Sequence, residues 1–223
     1  DGDGYREKPN GEDLQIRIDT DAEAADSYMQ TNELVKENWE AIGLETIINT
    51  IDGSELTTMV HSAETDIRDS WEIGDGPNHL LYPQWMVPIH QDRWSPLFGN
   101  YFRIQGTELE GTDANKDPRE RSPAWKKPPE GGPADQLQEI YKKAKTAPTV
   151  EKRNELVYEM IKVHINHGPF VIGTVGNYPR VGVCKNYMKN VPQKEDLHLG
   201  GFVNPWIVVY PAIVNPPTFY MDK

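Results

Sequence analysis

A single cysteine, Cys184, stands in 223 residues, which excludes an intramolecular disulfide and any four-thiolate metal site. No apolar run approaches the roughly 18 residues of a membrane-spanning helix. Positive charge is scarce, with 23 basic residues against 35 acidic ones and a net charge of −12. Such a field repels phosphate backbones and anionic headgroups, which argues against nucleic acid as a partner. The Gly-x-Ser-x-Gly elbow of a nucleophilic hydrolase is missing, and Gly74-x-Gly76 runs into Pro77 with no Gly-Lys-Ser/Thr behind it, so no phosphate loop forms. Cys184 follows Val181 and Val183, the setting of an inert thiol. Asp19-x-Asp21-x-Glu23 and Asp113-x-Asn115-x-Asp117 imitate calcium loops but place Ala24 and Pro118 where the turn needs Gly, and Gln30 and Ala124 where a bidentate Glu belongs. His164 and His167 lack further ligands nearby and read as a helix-end pair. No metal and no cofactor is expected.

What the chain does have is polar surface and turns. Hydrophobic residues make up 37% and charged ones 26%, with mean hydropathy −0.69, the profile of a soluble protein with a modest core. Gly and Pro number 18 each, above the average share and a sign of long loops. The opening Asp1-Gly2-Asp3-Gly4 has neither the basic nor the apolar region of a signal peptide and reads as a mature piece or fragment.

Residues 13–19 alternate apolar and polar, with Leu14, Ile16 and Ile18 on one side, which predicts a half-buried strand. Ala25, Tyr28, Leu34, Val35, Trp39 and Ile42 recur at helical spacing over 22–42, and Gly43 stands where a left-handed cap is wanted. The Ile- and Thr-rich stretch 44–51 predicts a second strand, so the opening order places two parallel strands in one sheet through a crossover. Ser54 is expected to cap a short helix over 55–63, and a third strand is expected over 65–71. A short helix over 78–85 turns Leu80, Leu81 and Trp85 inward. Residues 106–133 crowd charges of both signs among Gly and Pro and are expected to be irregular, exposed and mobile, with no core to bury. Helices follow over 135–145 and 150–167, then strand-like runs at 170–175, 180–184 and 205–210. The predicted class is α/β, a mixed sheet flanked by helices, with Leu14, Ile16, Ile18, Ile47, Ile67, Leu156 and Ile161 buried.

One cluster carries chemistry, the run from Asp66 through Arg68, Asp69, Trp71 and Glu72 to Asp75 and Pro77. A strand delivers it into a Gly/Pro loop at its carboxyl end, where open parallel sheets place ligands. There carboxylates can hold an ammonium, Arg68 can hold a carboxylate, and Trp71 supplies a flat apolar wall.

The run Leu14-Gln15-Ile16-Arg17-Ile18, the helix ending Asn38-Trp39-Glu40-Ala41-Ile42-Gly43-Leu44-Glu45, the strand from Asp66 to Trp71 and the block His167-Gly168-Pro169-Phe170-Val171-Ile172-Gly173 occur in this order. In that order and spacing the chain, from about residue 11 to 210, resembles the carboxyl-terminal lobe of the family 5 extracellular solute-binding proteins. These are the oligopeptide, dipeptide and nickel receptors of bacterial ABC importers. The resemblance implies one lobe of a type 2 periplasmic-binding-protein-like fold spanning 1–223, with return segments after about 169. It also implies a first lobe of the same polypeptide, an ABC permease as partner, and hinges near 169–176 and 204–206. The location implied is extracellular or periplasmic, with a preceding lipoprotein anchor as an option. Trp71 matches the family's cleft tryptophan. In peptide-binding members an Asp three residues beyond it takes the ligand's amino terminus; here Gly74 occupies that place and the acid is Asp75. A sugar, an opine-like compound or a metal chelate therefore suits the architecture as well as a peptide. The ligand-binding set is then Trp71, Glu72, Asp75 and Arg68, partly exposed on one concave side. The rival readings are an extracellular hydrolase domain with Glu72 and Asp75 as acid and base, and a structural interaction module.

Overall fold

A computed structural model describes residues 2–24, 26–70, 80, 83–174, 185–191 and 216–222. The chain forms two compact units, Asp1–Trp71 with Val87–Gln138, and Glu72–Met86 with Glu139–Lys223.

The first unit is built on a three-stranded parallel sheet. Strand β1 (Gln15–Asp21) lies between β2 (Glu45–Ile51) and β3 (Ile67–Arg68). It pairs with β2 from Gln15 opposite Glu45 to Asp21 opposite Ile51, and with β3 at Ile18 opposite Ile67 and Asp19 opposite Arg68. A central strand has both faces covered, so Ile18, Asp19 and Thr20 are all buried although they alternate sides. Helix α1 (Asp26–Glu40) makes the crossover that parallel strands require. It ends where Gly43 takes φ +80°, a conformation in which a side chain would be strained and would also press on the Gly4 carbonyl.

The helix expected over 22–42 ends at Glu40, and its amphipathic reading needs correcting at Leu34 and Ile42, which are 60% and 55% exposed. The buried residue of the helix is Asn32, and Leu34, two positions on, points about 200° away around the axis. Ile47 is also exposed. It sits on edge strand β2 beside Arg17, while helix α2 (Gly53–His61) covers that face only at Ile51, through Leu56 and Val60. Of the other expected core residues, Ile18 and Leu156 are buried and Leu14, Ile16, Ile67 and Ile161 are half-buried. Helix α2 begins earlier than expected because Asp52, not Ser54, caps it. The Asp52 carboxylate accepts the Ser54 amide at 2.9 Å. Strand β3 stops at Arg68, because Asp69 turns aside to bond with Thr20 and Asn32.

Helix α3 (Pro96–Ile104), absent from the sequence reading, opens with Pro96 in its first turn after Ser95. Gly99 on it touches the backbone of His90. A Cβ there would lie 2.5 Å from the His90 carbonyl oxygen, so only glycine admits the 87–95 loop. Buried Gln138, near the start of α4 (Pro133–Lys145), ties the same loop down by donating to the Pro88 carbonyl at 2.7 Å.

Residues 106–132 follow an irregular path of turns, but the expectation that they have no core is overturned. Trp125 is only 7% exposed. It stacks on Tyr101 of α3 with centroids 5.7 Å apart and donates from Nε1 to the Thr112 carbonyl at 2.9 Å. Arg121 lies over its ring at 4.2 Å and donates to the carbonyls of Lys116, Trp125 and Ala114 at 3.0–3.1 Å. A cation and an aromatic thus fasten a segment whose composition offers little else.

In the second unit, α5 (Val150–His167) starts at Thr149, whose hydroxyl accepts the Lys152 amide, and buries Leu156, Val157, Met160 and Val163. The turn Pro83–Trp85 buries Trp85; Leu80 is half-buried, and Leu81 lies outside the described residues. Phe170 to Thr174 forms no strand; Phe170 instead meets His164 edge-on at 5.4 Å. The expected strands at 180–184 and 205–210 lie outside the described residues. A pair not anticipated from sequence, β4 (Met188–Lys189) and β5 (Tyr220–Met221), runs antiparallel. Among the described residues no helix is long and apolar enough to cross a membrane.

Candidate binding site at the sheet's carboxyl end

The carboxyl ends of β1 and β3 bring polar side chains to both faces of the sheet. Toward α1, Asp69 Oδ2 accepts from Thr20 Oγ1 at 2.6 Å and from Asn32 Nδ2 at 2.9 Å. Thr20 and Asn32 are buried, so each has its hydrogen-bonding demand met by this carboxylate. Tyr28 of α1 stands close by; burial, with the charge of Asp69 adding to it, pushes its phenol above the usual range.

On the other face Asp19 is fully buried, with Oδ1 accepting from Asn49 Nδ2 at 2.9 Å and paired with Arg17 Nε at 2.8 Å. Arg68 lies in register with Asp19. Its guanidinium is half-buried; desolvation pulls its pKa down, opposed by the charges of Asp69, Asp92 and Asp21. Despite these three neighbours Arg68 forms no ion pair among the described residues. Its hydrogen bond runs from Nε to the adjacent Asp69 carbonyl at 3.3 Å.

The reason lies in how the neighbouring acids are occupied. Asp92 accepts from His61 at Oδ1 (2.5 Å), while its own amide donates to His90 Nδ1 at 3.3 Å, which leaves Oδ2 2.8 Å from that nitrogen. Asp69 Oδ2 is held by Thr20 and Asn32, and Asp21 Oδ1 accepts the Glu23 amide at 2.9 Å. Arg93 donates from Nη1 to the Asp92 carbonyl at 2.9 Å. Desolvation, then the charge of Arg68, lowers its pKa, while Asp92 raises it. Among the described residues Arg68 is thus a partly desolvated guanidinium with most of its five donors still to be met, a ready receiver for a planar carboxylate.

Of the residues singled out from sequence, Arg68 is thus placed at this end of the sheet, while Trp71, Glu72 and Asp75 lie outside the described residues. His61, His90, Asp92 and Arg93 were missed; a His-x-Asp-Arg run after Pro88 is a weak signal, and its partner His61 is a tertiary neighbour. His164 proves to be a satisfied helix-end histidine, with Nε2 at 2.6 Å from the Met86 carbonyl. Among the described residues no group of His, Cys, Asp and Glu could hold a metal ion.

No protein-family model matches this chain, and no curated protein does. Among solved structures, an oligopeptide-binding protein, OppA, matches with a TM-score of 0.66 at 21% identity, over 99% of this chain and 32% of that one. The fold is that of part of OppA. The resemblance read from the sequence is met at the level of the fold, as is the mixed α/β class, and the chain spans about a third of OppA's length. The periplasmic binding protein MelB of Agrobacterium fabrum, solved with stachyose, matches at TM-score 0.46 and 14% identity, over 74% of this chain and 22% of that one. A periplasmic oligopeptide-binding protein of an ABC transporter from Thermotoga maritima matches at TM-score 0.43 and 16% identity, over 74% of this chain and 26% of that one.

Proposed function

We propose that this chain is the carboxyl-terminal lobe of a two-lobe solute-binding protein, which encloses a small solute and hands it to an ABC permease outside the cytoplasm. The observation that carries the reading is the fold likeness to OppA over nearly the whole chain. In this reading Arg68 receives the solute's carboxylate, and the loop that follows it supplies Trp71 as an apolar wall and Glu72 and Asp75 as acids for an ammonium. Two guanidiniums, Arg68 and Arg93, stand among three carboxylates, Asp21, Asp69 and Asp92. That balance favours a zwitterion, a short peptide or amino acid, over a sugar. The lobe acts by closure and binding, not by catalysis.

The test uses the full-length protein, titrated with short peptides while tryptophan fluorescence is followed. Arg68→Met is expected to weaken a free peptide by about 1.5–3 kcal/mol, the worth of hydrogen bonds to a charged group, and to leave its carboxyl-amidated form nearly unchanged. Trp71→Ala should cost about 1–3 kcal/mol of binding while the fold persists. Equal affinity of wild type and Arg68→Met for every free-acid solute would overturn the assignment of Arg68. Turnover of a solute, abolished by Glu72→Gln, would overturn the non-catalytic reading.

A further inference from the structure

We propose that Asp69 is a binding residue for a primary ammonium group of the solute, with Oδ1 as the atom that receives it. The inference rests on reading this end of the sheet as the solute's site, and it adds to the acids of the following loop a receiver held in place by the fold.

Two buried donors converge on one oxygen of the Asp69 carboxylate. Thr20, fully buried on β1, reaches Oδ2 at 2.6 Å, and Asn32, 5% exposed on α1, reaches the same atom at 2.9 Å. Strand and helix thus fix the carboxylate from two sides. The other oxygen makes no hydrogen bond or ion pair among the described residues. Nor is it sealed in: among the described acids the buried oxygen without a partner is Asp19 Oδ2, and Asp69 is only half-buried. Oδ1 is therefore open to an incoming group. A structural tie alone does not call for this arrangement. An amide oxygen could accept from Thr20 and Asn32 equally well, and a neutral side chain costs less to half-bury than a carboxylate.

The nearest cation in sequence does not neutralise Asp69. Arg68 belongs to the other face of the sheet, and its Nε donates to the Asp69 carbonyl at 3.3 Å, not to the carboxylate. A single open oxygen also selects among cations. A guanidinium pairs best with both oxygens of a carboxylate, and here Thr20 and Asn32 occupy one of them. A primary ammonium is a compact charge whose donors each need one acceptor. A divalent metal is not served, since no group of His, Cys, Asp and Glu among the described residues could hold one. Tyr28 lies one helical turn before Asn32 on the same face of α1, an aromatic neighbour that suits a cation. Consecutive residues, Arg68 and Asp69, then receive the two charges of a zwitterion.

The experiment follows side-chain carboxyl resonances by NMR in the chain carrying carbon-13-labelled aspartate, each assigned through its own backbone. The chain is titrated at neutral pH with methylammonium, guanidinium or tetramethylammonium chloride, and exposed Asp13 is the reference. Methylammonium should saturate the Asp69 response at a concentration about tenfold below that needed at Asp13. Guanidinium should bind Asp69 more weakly than methylammonium, and tetramethylammonium, which has no N–H, should move both resonances alike. An Asp69 response to methylammonium no stronger than that of Asp13 would overturn the proposal. So would guanidinium or tetramethylammonium binding at Asp69 as tightly as methylammonium. Saturation at Asp69 with a solute affinity untouched by Arg68→Met keeps the ammonium site and removes the carboxylate contact. A silent Asp69 with a solute affinity that falls in Arg68→Met removes the ammonium site alone.

Discussion

Replacing Arg121 by alanine tests how the 106–132 segment is held. The guanidinium lies 4.2 Å from the Trp125 ring centroid and donates to three backbone carbonyls at 3.0–3.1 Å. Stacking of a partly desolvated cation on an indole is worth about 0.5–2 kcal/mol. Each charged hydrogen bond is worth about 1.5–3 kcal/mol when its partner is left buried, but Ala114 and Lys116 are exposed and their carbonyls rehydrate. We therefore assign each bond about 0.5–1 kcal/mol, the lower range for a net hydrogen bond, and with the stacking the whole loss comes to about 2–5 kcal/mol. The loss falls on local opening of the segment, since the sheet and α2 make none of these contacts.

At about 1.4 kcal/mol per factor of ten, the population of the opened segment should rise about thirtyfold to a few thousandfold. Tryptic cleavage of the native protein reads that population when reclosing is fast, and Lys116, Arg119 and Lys126 supply the sites. Wild type should resist at these bonds, Arg121→Ala should be cut there by at least about tenfold faster, and Arg121→Lys should fall between, because an ammonium cannot reach three carbonyls at once. Rapid cutting of the wild type in this segment would refute the argument and restore the mobile excursion that composition suggests. So would an Arg121→Ala protein cut at the wild-type rate.

Helix α5 offers a paired test of orientation. Met160→Ala should destabilise by about 2–5 kcal/mol in urea unfolding, because Met160 is fully buried. Ile165→Ala, at a site 74% exposed, should change stability by less than about 0.5 kcal/mol. At the cap of α2, hydrogen bonds from the Ser54 hydroxyl and amide hold the Asp52 carboxyl below its usual range. Its contribution is therefore present above the unfolded pKa of about 3.9 and is lost as pH falls through the lower folded value. Asp52→Asn should flatten the acid limb of the thermal stability profile while keeping the cap, and an unchanged acid limb would contradict this.

How far the fold could be read from sequence tracks how local its causes are. The β1–α1–β2 opening was legible because alternation at 14–18, a Gly at 43 and an Ile/Thr run at 45–51 each act within a few residues. Helix α5 was legible for the same reason, through Leu156, Val157, Met160 and the Gly168-Pro169 stop. The exposed Leu34, Ile42 and Ile47 were misread because periodicity names an apolar side without saying what covers it. Trp125 was misread because its burial depends on Tyr101, from a helix no periodic signal announced, and on a cation four residues back. Ser95-Pro96, a capping residue followed by proline, was the one available sign of that helix.

The site was legible only where it lies along one strand. Arg68 could be named because it precedes the Gly/Pro loop, yet whether a guanidinium is open depends on every acid around it, and those arrive from β1, from the 87–95 loop and from Asp69. In a chain of net charge −12 the expected fate of an arginine is capture by the nearest carboxylate. Here the nearby acids meet other donors first: Thr20 and Asn32 for Asp69, His61 for Asp92, a backbone amide for Asp21. Their charges still offset the desolvation of Arg68 at a distance, while directional hydrogen bonds keep their oxygens from it. An acidic surplus and an available guanidinium are therefore compatible, and composition alone could not have separated them from an arginine already closed in a salt bridge.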